Sequence, residues 1–440
     1  MGLSLLIEDG IGQIRAALLA ADGRALEIWL LDQPRGAAPA LGAVYRGRVQ
    51  AVHGQTESAD IDLGGGLGGM LALRHAPRKK LNHGDALLVQ VRREAIDEGA
   101  GRKAPVLTGR PVVNGRYLSL AADGQIRRRA PADTAAAAVV AAEQARLQAA
   151  WQAAKAQTAP GLALAAPTPL ARLLCDHAPS GLTRILVEGA GLLAQARQLA
   201  RAHYPELEPL IAAAPHDGAL MRDHGVDDEL DAIAAGTIDL GAGAFLRIEA
   251  TDALTAIDVN SGPAAPGRDH QAMAMAVNSQ AAREIARQLR LQDIGGLVVV
   301  DFLDLHGRGA RQALEAAFDE AAAADPVGWQ RGKLTAFGIM EIIRARHGPS
   351  LAQKLLARPR PQLRADARLL ALLRQALREA AHGPPGVLVL SLDPALAHLL
   401  AQRPAWRQAL AARAGRQLLL RPAADGQAAG VHIEAPPKPS

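Results

Sequence analysis

The residues of this chain whose types and spacing best suit chemistry are carboxylates at the ends of apolar runs. In Ala256-Ile257-Asp258-Val259-Asn260-Ser261-Gly262, Asp258 and Asn260 stand two positions apart and so share one face of a strand. In Leu297-Val298-Val299-Val300-Asp301-Phe302-Leu303-Asp304, Asp301 closes the most apolar run of the chain, where an ionised carboxylate is costly without a cation or several donors. Hard oxygen ligands at adjacent strand ends suit Mg²⁺, which takes one or two carboxylates and keeps waters for a substrate phosphate. Such a metal polarises a phosphoryl oxygen and generates hydroxide for attack on phosphorus. Spacing alone also admits a structural role, in which the two aspartates cap turns or pair with arginines such as Arg247 or Arg283. His306, just past Asp304, reads as a loop residue.

The elements that must position these groups are legible as periodic patterns. Residues 245–249 and 254–259 read as two strands joined at Thr251-Asp252, and 279–291 as a helix leading through Gly295-Gly296 into the apolar run. That run has the composition of a central strand covered on both faces. A further helix is expected over 310–324, before Pro326. Upstream, Val44-Tyr45-Arg46-Gly47-Arg48-Val49 and several later short runs, punctuated by glycines, predict a small barrel. An alanine-rich helix is expected over 132–157, closed by Pro160-Gly161, and the tail from 363 to about 432 reads as a small α/β unit behind Arg358-Pro359-Arg360-Pro361.

Composition narrows the functions open to the chain. With 440 residues and 49% hydrophobic side chains it can form several packed units, and 21% charged residues argue against a disordered tail protein. Residues 41–130 hold fifteen Lys/Arg against eight Asp/Glu, an excess larger than the net +5 of the whole chain, so the expected barrel is the expected polyanion surface. A single cysteine, Cys175, excludes intramolecular disulfides and multi-cysteine zinc sites and suits a reducing cytoplasm. No membrane span or signal peptide is expected, because Glu8, Asp9 and Arg15 interrupt the apolar start.

Three stretches together carry a family resemblance. The block 251–261 around Asp258, the helix Ala281-Ala282-Arg283-Glu284-Ile285-Ala286-Arg287-Gln288-Leu289-Arg290-Leu291, and Gly295 through Asp304 resemble the catalytic core of the RNase E/G endoribonucleases. Phe337-Gly338-Ile339-Met340-Glu341-Ile342-Ile343-Arg344-Ala345-Arg346 resembles that family's next block. Tyr45-Arg46-Gly47-Arg48-Val49 with Asp60-Ile61-Asp62-Leu63-Gly64 resembles its RNA-binding OB fold, and 103–117 the segment leaving it. The resemblance runs from Val44 to Arg346 with a gap in the middle.

It implies an α/β multidomain chain. Residues 1–40 would be strands of an RNase H-like part, 41–120 the OB-fold barrel inserted in it, and 121–235 a helical region completing it. Residues 236–357 would form a DNase I-like catalytic core, and 358–440 a linker and small C-terminal α/β domain. It implies a cytoplasmic Mg-dependent endoribonuclease, with Mn also possible, that hydrolyses single-stranded RNA, whether ribosomal precursor or messenger. Asp258 and Asp301 would be the metal aspartates, 43 residues apart with no insertion needed; Asn260 would orient the phosphate and Asp304 would lie just behind. Arg46, Arg48, Lys103, Arg116, Arg283, Arg287 and Arg290 are the expected RNA-binding cations, the last three on one helix face at i, i+4 and i+7.

The sequence departs from that family in three places. No cysteine follows Arg346, so no zinc link between subunits is expected; no Arg-Thr pair stands where the family senses a 5′ monophosphate; and the positions of the stacking aromatics carry Asp60 and Met70. The alternative reading is therefore a catalytically weak or inactive RNA-binding protein that retains the fold.

Overall fold

The computed structural model describes residues 2–10, 12–32, 38–78, 80–97, 102–216, 218–251, 253–262, 270–346, 348–356, 365–423 and 429–435. The expected linker 358–361 lies outside them, as does Asp252 of the expected turn. The chain divides into two compact units, Met1–Leu356 and Ala357–Ser440.

In the first unit a mixed sheet joins the start of the chain to a segment far downstream. Leu3–Gly10 pairs antiparallel with Gln13–Leu19 and parallel with Leu182–Val187; Ala25–Asp32 and Ile211–Ala213 complete the two edges. The intervening chain forms a closed five-stranded barrel from Val44–His53, Ser58–Gly64, Leu67–Ala72, Val106–Thr108 and Ala86–Arg93, closed by pairing of the first strand with the last. Alternation builds it: Val49, Ile61, Leu63, Leu71, Val89 and Leu107 point inward and are fully buried. Gly161–Leu164 adds a strand beside Val44–Arg46, so the returning chain is tied to the barrel.

The helix Ala137–Ala156 leads back from the barrel, and its buried Glu143 fixes the exit. Glu143 accepts the backbone N–H groups of Arg116 (2.9 Å), Tyr117 (2.7 Å) and Leu118 (2.9 Å). Gly115 is required beside it, because a Cβ there would lie 2.3 Å from the Glu143 carboxyl carbon.

The third sheet carries the two aspartates. Its order is Thr237–Gly241, Ala244–Ala250, Thr255–Asn260, Gly296–Asp301, Ile339–Arg344 and Trp329–Arg331, parallel only between the third and fourth strands. Ile257, Val259, Val298, Val300, Met340 and Ile342 are buried on one face, in a core shared with the helices His270–Leu291 and Arg308–Ala322. The expectation of a strand covered on both faces is corrected here. Leu297 is 37% exposed, Val299 half-buried and Asp301 exposed, and Ile343 on the next strand is 61% exposed. Leu297 and Val299 on the outer face were read as interior because an unbroken apolar run does not say which side of a pleated surface meets water.

The second unit is a three-stranded sheet, with Val387–Leu392 between parallel Leu418–Pro422 and antiparallel Gly430–Glu434, and with helices Ala365–His382, Pro394–Ala401 and Pro404–Ala414. Residues 357–440 carry twelve Lys/Arg against five Asp/Glu, so the positive charge is not gathered at the barrel alone.

Glu143→Ala should destabilise the first unit by at least about 3 kcal/mol, since three buried donors lose their acceptor and each unsatisfied donor costs about 1–3 kcal/mol. Denaturant unfolding followed by circular dichroism measures it; a loss below about 1 kcal/mol would mean that water or another acceptor takes over those donors.

Candidate metal centre

Asp258 and Asp301 stand directly opposite each other in the register of the two parallel strands. Both are on the uncovered face and exposed, as is Asp304. Asn260, two residues on from Asp258, donates from its amide Nδ2 to Asp258 Oδ2 at 2.9 Å. The Asp301 carboxyl is pushed above the usual carboxylate range, first by partial desolvation and then by the negative charges of Asp258 and Asp304. The pair thus concentrates negative charge, and among the described residues no ion pair reaches it.

Neither arginine named as a partner for these aspartates pairs with them among the described residues. Arg247 lies opposite Asp258 across the sheet, but its guanidinium binds Glu249 at 3.0 Å. Arg283 is exposed, and among the described residues no ion pair reaches Asp258, Asp301 or Asp304. Among the described residues no group of three or more His, Cys, Asp or Glu could enclose a metal. Two opposed carboxylates with open space beside them fit a hydrated hard cation such as Mg²⁺, which demands few protein ligands, better than a metal that needs a full protein cage.

The segment that follows Asp301 is held by the long helix behind the sheet. Asn278, fully buried, donates its amide to the Leu303 carbonyl (2.8 Å) and accepts the Leu303 N–H (3.0 Å). One heptad earlier on that helix, Gln271 does the same for His306, at 2.9 and 3.1 Å. These two clamps, absent from the residues singled out by sequence, fix the chain that carries Asp304. The available signal was Asn278 itself, a polar residue on the stripe of Ala274, Ala281, Ala282 and Ile285 that the helix buries. His306 stands in the loop expected for it, gripped through its backbone.

Four of the seven cations expected to bind RNA are engaged within the protein, and for Arg116, which is buried, the expectation is corrected. Arg116 is 3% exposed; it binds the Leu174 and Ala178 carbonyls and pairs with Glu206 at 2.6 Å. Arg287 bridges Glu284 and Glu229 and donates to the Ala25 carbonyl. Arg290 pairs with Glu27 at 2.7 Å and donates to the Ala324 carbonyl. Arg46 donates to the carbonyls of Lys155 and Gln157, where the alanine-rich helix ends. Arg48 and Arg283 are exposed, and the Lys103 side chain lies outside the described residues. On the barrel surface Asp60 and Met70 are register partners, and His53 binds Asp60 at 2.8 Å.

Together these features define a mixed α/β protein that combines a closed barrel with an open carboxylate pair on a second sheet. A model of the Ribonuclease E/G family matches residues 116–347, and the chain belongs to that family. Ribonuclease E of Escherichia coli (strain K12) is 28% identical over 389 residues, which cover 78% of this chain and 36% of that protein. Ribonuclease E of Haemophilus influenzae is 26% identical over 394 residues, 78% of this chain and 41% of that one, and Ribonuclease E of a Nostoc species is 40% identical over 114 residues, 26% and 17% respectively. The chain therefore spans well under half the length of these relatives.

Asn278→Ala should weaken Mn²⁺ binding about 10- to 100-fold, the usual penalty for loosening what supports a metal ligand. Calorimetric titration of the folded variant measures this; unchanged affinity would make the clamp a stability device only.

Proposed function

We propose that this chain is a Mg-dependent endoribonuclease that hydrolyses phosphodiester bonds of single-stranded RNA, in the processing or turnover of ribosomal precursor or messenger RNA. The observation that carries the proposal is the opposition of Asp258 and Asp301 on adjacent parallel strands, on an uncovered face, within a chain of this family. In this reading the sheet bearing them is DNase I-like and the first sheet, interrupted by the OB-like barrel, is RNase H-like.

When bound, Mg²⁺ supplies polarisation of a phosphoryl oxygen and an activated water for attack on phosphorus. Asp258 and Asp301 would hold the ion, whose two charges relieve the repulsion between the two carboxylates. Asn260 keeps one amide N–H on Asp258 and has a second to offer a phosphate oxygen. Asp304 adds negative charge from behind and favours the cation. Of the cations expected to contact the RNA backbone, Arg48 on the barrel and Arg283 on the long helix are exposed among the described residues and would meet its phosphates.

The site of action is cytoplasmic in this proposal; among the described residues no helix is long and apolar enough to cross a membrane. Assembly takes place without a zinc link, since Cys175 is buried and is the single cysteine. The competing reading, an RNA-binding protein without activity, draws on Asp60 and Met70 at the surface where stacking aromatics are expected.

Asp301→Asn should lower cleavage of a single-stranded RNA at least about 100-fold, more than the loss expected of an outer-shell change. The sign for stability is opposite. A carboxyl whose pKa is raised on folding destabilises the folded state at pH above that pKa, so without Mg²⁺ at neutral pH the variant should melt no lower than the parent. EDTA should abolish cleavage in the parent, with Mg²⁺ or Mn²⁺ restoring it. Undiminished cleavage by the purified variant would refute the assignment, and a parent that binds RNA without cutting it would select the competing reading.

A further inference from the structure

Of eleven Phe, Trp and Tyr side chains, ten are buried or half-buried; Phe337 is the exception. It is 83% exposed, the most exposed large apolar side chain among the described residues. Its position is not that of a loose loop. The turn from Thr335 to Ile339 is tied at both ends: Thr335 donates its N–H to the Ile339 carbonyl at 2.9 Å, and Thr335 Oγ1 accepts the N–H groups of Phe337 (3.3 Å) and Ile339 (3.1 Å).

The turn is also docked on the strand end that carries Asp301. The Phe302 N–H donates to the Gly338 carbonyl at 3.0 Å, and Asp301 lies opposite Ile339 in the sheet. Gly338 has φ +79°, and a Cβ there would lie 2.7 Å from the Phe302 carbonyl oxygen and 3.9 Å from Asp301 Oδ1. Only glycine lets the turn sit so close, and the result is an aromatic ring presented to solvent by the residue next to Gly338, which itself abuts the strand end carrying Asp301.

Exposing a phenylalanine forfeits about 2 kcal/mol of burial, so a ring presented by so constrained a turn calls for a partner. The partner must lie beside a phosphate held at Asp258 and Asp301, and what adjoins a phosphodiester in single-stranded RNA is a base with an open π-face. We propose that Phe337 stacks on a nucleobase flanking the bond to be cleaved, and so takes over in the core the stacking that Asp60 and Met70 cannot provide on the barrel. The proposal rests on the ribonuclease reading, but stacking is tested by binding as well as by cleavage. Because every base has a π-face, such a contact positions RNA without demanding one sequence.

The test uses the full chain, a single-site RNA oligonucleotide, and versions of it in which each nucleotide flanking the site in turn is abasic. Phe337→Ala and Phe337→Trp are compared, by fluorescence anisotropy in EDTA and by steady-state cleavage in Mg²⁺. Phe337→Ala should weaken binding and raise KM about 5- to 150-fold, the range found for loss of one base–aromatic stack, while Phe337→Trp retains both. One abasic position should cost the parent a similar factor and the Ala variant little. Equal binding by the parent and Phe337→Ala, or an abasic penalty that is the same for both, overturns the proposal. So does an altered sedimentation coefficient of Phe337→Ala with unaltered RNA binding, which would assign the ring to a contact between copies of the chain. A parent that does not cleave but loses binding on Phe337→Ala and at one abasic position leaves the stacking standing and removes the ribonuclease reading alone.

Discussion

Two carboxylates held side by side on neighbouring parallel strands repel each other, and the third sheet is arranged around keeping them there. The backbone register sets Asp258 against Asp301, and no ion pair among the described residues relieves the charge. Exposure on the uncovered face lowers the cost, because water screens what a buried pair would have to neutralise. The stabilisation comes from the opposite face, where the same two strands bury Ile257, Val259, Val298 and Val300 against the helices. One alternating pattern thus serves both demands: apolar side chains inward for cohesion, acids outward toward water.

The long helix behind the sheet links packing to chemistry. Its small residues bring it close enough for the Asn278 and Gln271 amides to reach the backbone at Leu303 and His306, while Arg287 and Arg290 on its remaining surface bind Glu229, Glu284 and Glu27. The helix is therefore fixed to the first sheet, since Arg287 also reaches the Ala25 carbonyl. Such charge pairs contribute as partners: removing one leaves the other exposed to a desolvation cost without compensation.

Much of this was legible in the sequence, for identifiable reasons. Asp258, Asn260 and Asp301 stood out through the family resemblance of the blocks around them, since spacing alone left a structural role open, and the barrel stood out because its strands alternate. The roles of Arg116, Arg287 and Arg290 were not legible, because their partners are set by the tertiary fold: Glu206 lies 90 residues from Arg116, and Glu27 263 residues from Arg290. Helical spacing placed the arginines on one face correctly and could not say that the face meets another element. The valine run was misread as doubly covered since composition reports β-propensity and not the number of layers. Asn278 was passed over because its place on the buried stripe of the helix marks a buried amide without naming the backbone it binds.

If Asp258 and Asp301 share one divalent cation, a crystal of the protein soaked in Mn²⁺ and phased on the anomalous signal of that ion should show one strong peak between the two strand ends, about 2.0–2.2 Å from an oxygen of each carboxylate, with waters completing an octahedron. A well-ordered site without a peak, or Mn²⁺ bound elsewhere while both carboxylates turn to protein partners, would contradict it.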